Sequence, residues 1–201
     1  AFGWSWAELP AALDGKAYYE LLFWGGGHVL QFTWTLLMFV AWLWLASDSG
    51  CPLPITPRVA LLLFLVALMS VFLTPVIYLA YGVTSVEHHR LLTWLMRFGG
   101  GLSILPIGAA VVIALARAAP AQADERPLRA ALMMSLALFA FGGLIGLTID
   151  GSNVKVPAHY HGSIVGVTLA FMGVTYLLLP RLDFGAVPSR AATWQAWLYG
   201  V

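Results

Sequence analysis

Charge is scarce in this chain. Asp, Glu, Lys and Arg make up 9% of its 201 residues, ten basic against nine acidic, for a net charge of +1. Such a balance provides no basic field, so a nucleic-acid partner is excluded. With 61% hydrophobic residues and a mean hydropathy of +0.86, it also excludes a soluble globular domain. Cysteine is nearly absent: Cys51 stands alone, which rules out a disulfide within the chain and a cluster of thiolate metal ligands. No ten-residue alternation of polar and apolar residues suggests a membrane barrel. Ala1 opens the chain with neither a basic segment nor a signal-cleavage pattern, so the sequence reads as a mature membrane protein or an excerpt of one. Plentiful by contrast are aromatics, 13% with nine Trp, as the interfacial girdles of a bilayer protein require. Five histidines complete the unusual features.

A span needs about 20 apolar residues to cross a hydrocarbon core of roughly 30 Å. Runs of that kind predict an all-α, polytopic transmembrane helix bundle with five complete spans and the start of a sixth. They cover Tyr19 to Ala46, Pro57 to Gly82, His89 to Ala118, Leu128 to Thr148 and Ala158 to Leu179, with a last beginning near Ala191. Ser47-Asp48-Ser49-Gly50 ends the first, a charged loop from Ala119 to Pro127 follows the third, and Pro157 suits the first turn of the fifth. The whole chain, 1–201, is expected to be one membrane domain. Arg58, Arg117, Arg126, Arg129, Arg181 and Arg190 fall on one side, against Lys16, Arg90 and Lys155 on the other, which puts the first group in the cytoplasm. All five histidines then gather in the outer half of the membrane.

His159 and His161 are at i and i+2 near a helix start, so at about 100° per residue their side chains diverge by roughly 200°. They cannot share one metal, but each can ligate a cofactor on its own side of the helix, as two neighbouring haems would require. Interhelical hydrogen bonds are the alternative use. His88 and His89 open another helix, and His28 lies on a third segment at the same depth, so three imidazoles are available to one ion of copper, iron or zinc. Gly25-Gly26-Gly27 before His28 removes side chains where a flat macrocycle or a neighbouring helix approaches closely.

The order GGGHVLQF, EHHRLLTW and DGSNVKVPAHYHGSIVGVTLAFMG resembles the catalytic subunit of the haem–copper oxidoreductase superfamily, which contains terminal oxygen reductases and nitric oxide reductases. The resemblance runs along the whole chain, from the sixth to about the start of the eleventh of the family's core helices. It implies that the chain is part of a larger, about twelve-helix, catalytic subunit of a respiratory enzyme in a bacterial or archaeal cytoplasmic membrane, with its metal site toward the periplasm. By that likeness His28, His88 and His89 bind the non-haem metal, Cu or Fe. His159 is the proximal ligand of a high-spin haem and His161 an axial ligand of a low-spin haem. Asp150, Asn153 and Lys155 are candidates to lie near haem propionates, or else form a solvated loop. A bis-histidine low-spin haem needs a further ligand that this sequence lacks. The implied partners are NO or O2 as substrate, the remaining helices of the subunit, the bilayer, and an electron-donating subunit, cytochrome c or quinol.

Nitric oxide reduction is the favoured activity. Most oxidases of the family carry a tyrosine at the fourth position after the first metal-binding histidine, and here that residue is Phe32. Gln31, three residues after His28, is placed to touch the metal or a bound ligand, or else to make an interhelical hydrogen bond, and Glu87, before the His pair, to offer a carboxylate or relay protons, or else to stand as an exposed interfacial acid. Ser70, Thr74, Tyr78, Tyr81 and Ser85 argue the other way: on one helix they share an arc of about 80° and form a candidate proton path, the alternative being hydroxyls bonded back to the i−4 carbonyl and tyrosines packed between helices. Tyr81 on that stripe is the candidate substitute for the missing tyrosine, which keeps a proton-translocating oxygen reductase as the alternative. A non-catalytic haem electron carrier or gas sensor is the second.

Overall fold

Backbone exposed to lipid must satisfy its own hydrogen bonds, and runs this apolar can do so only as helices once a closed barrel is excluded. The computed structural model describes residues 1–151 and 153–201. Among them the regular elements are α1 (Phe2–Glu8), α2 (Gly15–Asp48), α3 (Pro57–Val71), α4 (Thr74–Ala80), α5 (Val86–Trp94), a π turn at Leu95–Gly99, α6 (Gly101–Arg117), α7 (Glu125–Leu147), α8 (Lys155–Arg181) and α9 (Ser189–Gly200), with no strand. Five helical segments are long and apolar enough to cross a membrane: α2, α3 with α4, α5 through α6, α7 and α8. The protein is thus an all-α integral membrane protein. α9, 12 residues long, is a helix at the place of the expected sixth span and is not among the five long enough to cross.

The helices outrun the apolar runs that announce them. α2 begins four residues before Tyr19, its first turn carrying the exposed Lys16–Glu20 pair at i, i+4. It ends where Gly50 takes φ +68°, so that the Cys51 amide reaches back to the Ala46 carbonyl at 2.9 Å. The second span is interrupted. Pro75 has no amide hydrogen and its ring crowds the carbonyl four residues earlier, that of Val71, where α3 stops. The 80° arc expected for Ser70 through Ser85 assumed one continuous helix, and this break, with the extended backbone at Tyr81, removes that single face. The short α1 was not anticipated; at seven residues it is too brief to show as a span.

Packing divides the chain into two compact units, residues 1–36 with 57–107 and residues 37–56 with 108–201. In the first, Ile77, Tyr78, Val83 and Leu92 form a core flanked by Trp4, Leu9, Trp24, Leu91 and Leu95. α3 is held to the π turn and α6 by Ser70, whose hydroxyl lies 3.4 Å from the Gly99 carbonyl, and by Ser103, which donates to the Leu63 carbonyl at 2.6 Å.

In the second unit α7 and α8 touch backbone to backbone. A Cβ on Gly162 would stand 2.8 Å from the Cα of Gly142, and one on Gly166 2.9 Å from the Phe139 backbone. Small residues permit this approach, which in lipid is what makes dispersion contacts between helices effective. Ala130, Ala131, Met134, Leu169 and Ala196 fill the core that joins α9 to the pair. A polar relay crosses it: the Trp42 indole donates to Ser135 Oγ at 2.7 Å, and Ser135 donates to the Gly166 carbonyl at 2.6 Å. At one end Arg129 donates through Nε and Nη2 to the Ser49 carbonyl, through Nη1 to that of Ala119, and pairs with Glu125 at 3.1 Å. It thereby satisfies carbonyls just beyond the ends of α2 and α6 that have no helical partners.

Candidate functional site

The first unit gathers three histidines from two helices. Ser85 caps α5, its hydroxyl accepting from the His88 amide at 3.2 Å, so the His pair stands in the first turn and its two rings leave the helix in different directions. His89 places Nδ1 2.8 Å from the Ser85 carbonyl, and His28 on α2 places Nδ1 2.7 Å from the Trp24 carbonyl. A carbonyl only accepts, so each Nδ1 carries the hydrogen and each Nε2 keeps its lone pair. The Trp24 indole lies against both rings, with centroids 4.8 Å from His28 and 5.0 Å from His89.

His88 is fully buried. Its ring meets the edge of Tyr78 at 4.5 Å between centroids and stands 5.9 Å from that of His89. Apart from a marginal approach to the Tyr81 backbone, neither ring nitrogen has a hydrogen-bond partner. The Trp24 indole nitrogen, Gln31 Oε1 and Thr74 Oγ1 are likewise buried without partners. Unpaired polar atoms are costly in such surroundings, so each of these atoms on α2, α4 and α5 is a candidate to meet a ligand or water. Among the described residues, however, no three histidine, cysteine or acidic side chains are arranged around a common point. The three imidazoles are neighbours with their donors available, and they do not converge.

The remaining expected residues of this unit fall as follows. Gly25 serves close approach: the Tyr78 hydroxyl occupies the position its side chain would take and bonds Ser5 Oγ of α1 at 2.9 Å. Gly26 faces Phe2, and Gly27 faces open space. Phe32 is buried beside Gly99. Glu87 is exposed in the first turn of α5, and Tyr81 is 39% exposed. The tyrosine that touches a candidate ligand is therefore Tyr78. Ser70 and Ser85 hold backbone groups. Trp24 escaped the sequence reading, although its i−4 spacing from His28 was there to be read.

In the second unit His159 is half-buried against α7, with Nδ1 2.8 Å from the Gly142 carbonyl, so here too Nε2 retains its lone pair. Gly146 makes room for the ring: a Cβ there would lie 2.6 Å from Nδ1. His161 is exposed, as the divergence of the pair requires. Asp150, Asn153 and Lys155 form an exposed network, Asn153 Nδ2 donating to the Asp150 carbonyl at 3.0 Å and Lys155 Nζ to that of Thr148 at 3.0 Å, with Lys155 and Asp150 paired at 3.7 Å. Ser152 of the same connection lies outside the described residues.

No family model matches the chain, and no solved structure does. It is 29% identical over 220 residues to an uncharacterized protein of Rickettsia prowazekii (strain Madrid E), covering 90% of this chain and 42% of that protein. It is 31% identical over 179 residues to an uncharacterized protein of Aquifex aeolicus (strain VF5), covering 87% and 42%. The chain thus spans about two fifths of the length of the curated relatives it matches.

Proposed function

We propose that the chain is part of the catalytic core of a membrane respiratory oxidoreductase of the haem–copper type, reducing a diatomic gas, with nitric oxide to nitrous oxide as the leading reaction. The observation that carries the reading is the shared state of His28, His89 and His159. Each ties Nδ1 to a main-chain carbonyl and leaves Nε2 to donate, which is how metal- and haem-ligating histidines are normally held. The buried His88, with neither nitrogen satisfied, fits the same donor set.

In this reading Nε2 of His159 would hold the high-spin haem and His161 the low-spin haem, while His28, His88 and His89, which do not converge on a common point among the described residues, would hold the non-haem Cu or Fe. When bound, these groups supply the electrons and the Lewis acidity that join two NO molecules, with two electrons and two protons, into N2O and water. The protein's share is positioning. Gln31, half-buried with its side-chain oxygen buried and unpaired, orients a polar ligand through its amide, and Glu87, exposed one residue before His88, takes up protons from water. Phe32, buried beside Gly99, is redox-inert. Electrons come from cytochrome c or quinol.

Reduction of O2 to water is the second reading, and the contact of Tyr78 with His88 favours it, because it sets a phenol beside a candidate ligand. Turnover of the intact enzyme with NO and with O2, measured side by side, separates the two. In either case His159→Ala abolishes gas turnover while the low-spin haem spectrum persists; an active His159→Ala enzyme rejects the proposal. Haem without stoichiometric non-haem metal in the intact protein reassigns it as a non-catalytic electron carrier or gas sensor.

A further inference from the structure

Within the second unit α6, α7 and α9 leave an open groove of about 320 Å³, lined by the apolar Leu115, Ala130 and Met133 and by Arg126, Arg129 and Trp197. It lies where α6 ends at Arg117 and α7 begins at Glu125, so it stands at the end of two membrane-spanning segments, at the depth of lipid headgroups. The two arginines differ. Arg129 is 11% exposed in its side chain and is engaged with two carbonyls and Glu125. Arg126 is exposed and makes one long contact, from Nε to the Ala121 carbonyl at 3.4 Å, which leaves both Nη groups without an acceptor among the described residues.

We propose that this groove binds an anionic phospholipid, its phosphodiester on the Arg126 guanidinium and an acyl chain along Leu115, Ala130 and Met133. A cation with free paired N–H groups matches phosphate oxygens in geometry and charge. The apolar lining has no use for a free phosphate but suits a hydrocarbon chain, and an indole beside it is the usual companion of the headgroup layer. Among the described residues no acidic residue lines the groove; of the two acids next to it in the chain, Glu125 pairs with Arg129 and Asp124 is exposed outside the lining, so the lining itself offers no carboxylate to a zwitterionic lipid's amine and selects net negative charge.

The test uses the intact protein in mild detergent, with lipid adducts counted by native mass spectrometry during titration with phosphatidylglycerol or phosphatidylcholine. The proposal expects preference for phosphatidylglycerol and about 5-fold weaker binding to Arg126→Gln, the effect of one interfacial cation. Met133→Trp, which keeps the charge and fills the groove, weakens binding as well and carries the test if Arg126→Gln folds poorly. Arg58→Gln, in the other unit, leaves binding unchanged. Equal binding of the two lipids, no effect of either groove variant, or displacement of the lipid by millimolar inorganic phosphate would each overturn the proposal.

Discussion

Gly146 sits so close to His159 that any Cβ must displace the imidazole, the contact being 2.6 Å to Nδ1. Gly146→Ala is therefore expected to swing the ring, break its bond to the Gly142 carbonyl and cost about 1–3 kcal/mol through overpacking. Thermal denaturation measures the cost, and if His159 holds a haem as proposed, that haem's absorption shifts with it; an unchanged spectrum and melting temperature contradict the assignment. Tyr78 and Ser5 form a buried hydroxyl pair. Tyr78→Phe strands the Ser5 hydroxyl, so the double variant Ser5→Ala, Tyr78→Phe is expected to lose less than the sum of the single losses, each about 1–3 kcal/mol. Strict additivity in a denaturation cycle refutes the pair. The histidines stood out in the sequence because imidazole is rare in an apolar helix. Their anchors did not, since a main-chain carbonyl such as that of Gly142 carries no residue-type signature and becomes a partner only when two helices pack.

At the scale of helices the five spans were legible because length and hydropathy alone define them. The break at Pro75 was legible in principle, yet the apolar run continues through it and hides it. α1 was not: one buried residue, Ser5, and a turn of aromatics give no periodic pattern to follow. Arg129 was read only as a charge for orientation, and its structural task depends on the end of α2 lying beside it. Removing it strands the Ser49 and Ala119 carbonyls and leaves the Glu125 carboxylate, 20% exposed, without its partner. Arg129→Ala should lose about 3–5 kcal/mol, as breaking a largely buried pair does, and Arg129→Lys should recover part of it by keeping the charge without the guanidinium's several donors. Equal stability of the Lys and Ala variants in denaturant would show that the charge pairing with Glu125 contributes nothing, and a Lys variant as stable as the parent would show the same of the carbonyl contacts.

For the molecule as a whole, the division of the histidines between packing units makes the cofactor reading testable in parts. His28, His88 and His89 belong to the first unit and His159 and His161 to the second. If each is a ligand, losses are specific: in the intact protein His88→Ala removes the stoichiometric non-haem metal and keeps both haems, whereas His161→Ala removes the low-spin haem absorption and keeps the metal. If instead the histidines merely pack between helices, these substitutions change stability and leave metal and haem contents alike. Elemental analysis, haem extraction and a melting curve on the same preparations separate the outcomes, because a variant that loses everything together with its melting transition has unfolded rather than lost a ligand. The five imidazoles also bound the answer, since with His28, His88 and His89 on the metal and His159 on one haem, only His161 is left for the low-spin haem. A bis-histidine spectrum in the intact protein therefore requires a second axial ligand from outside residues 1–201, and it should survive substitution of every histidine in the chain except His161.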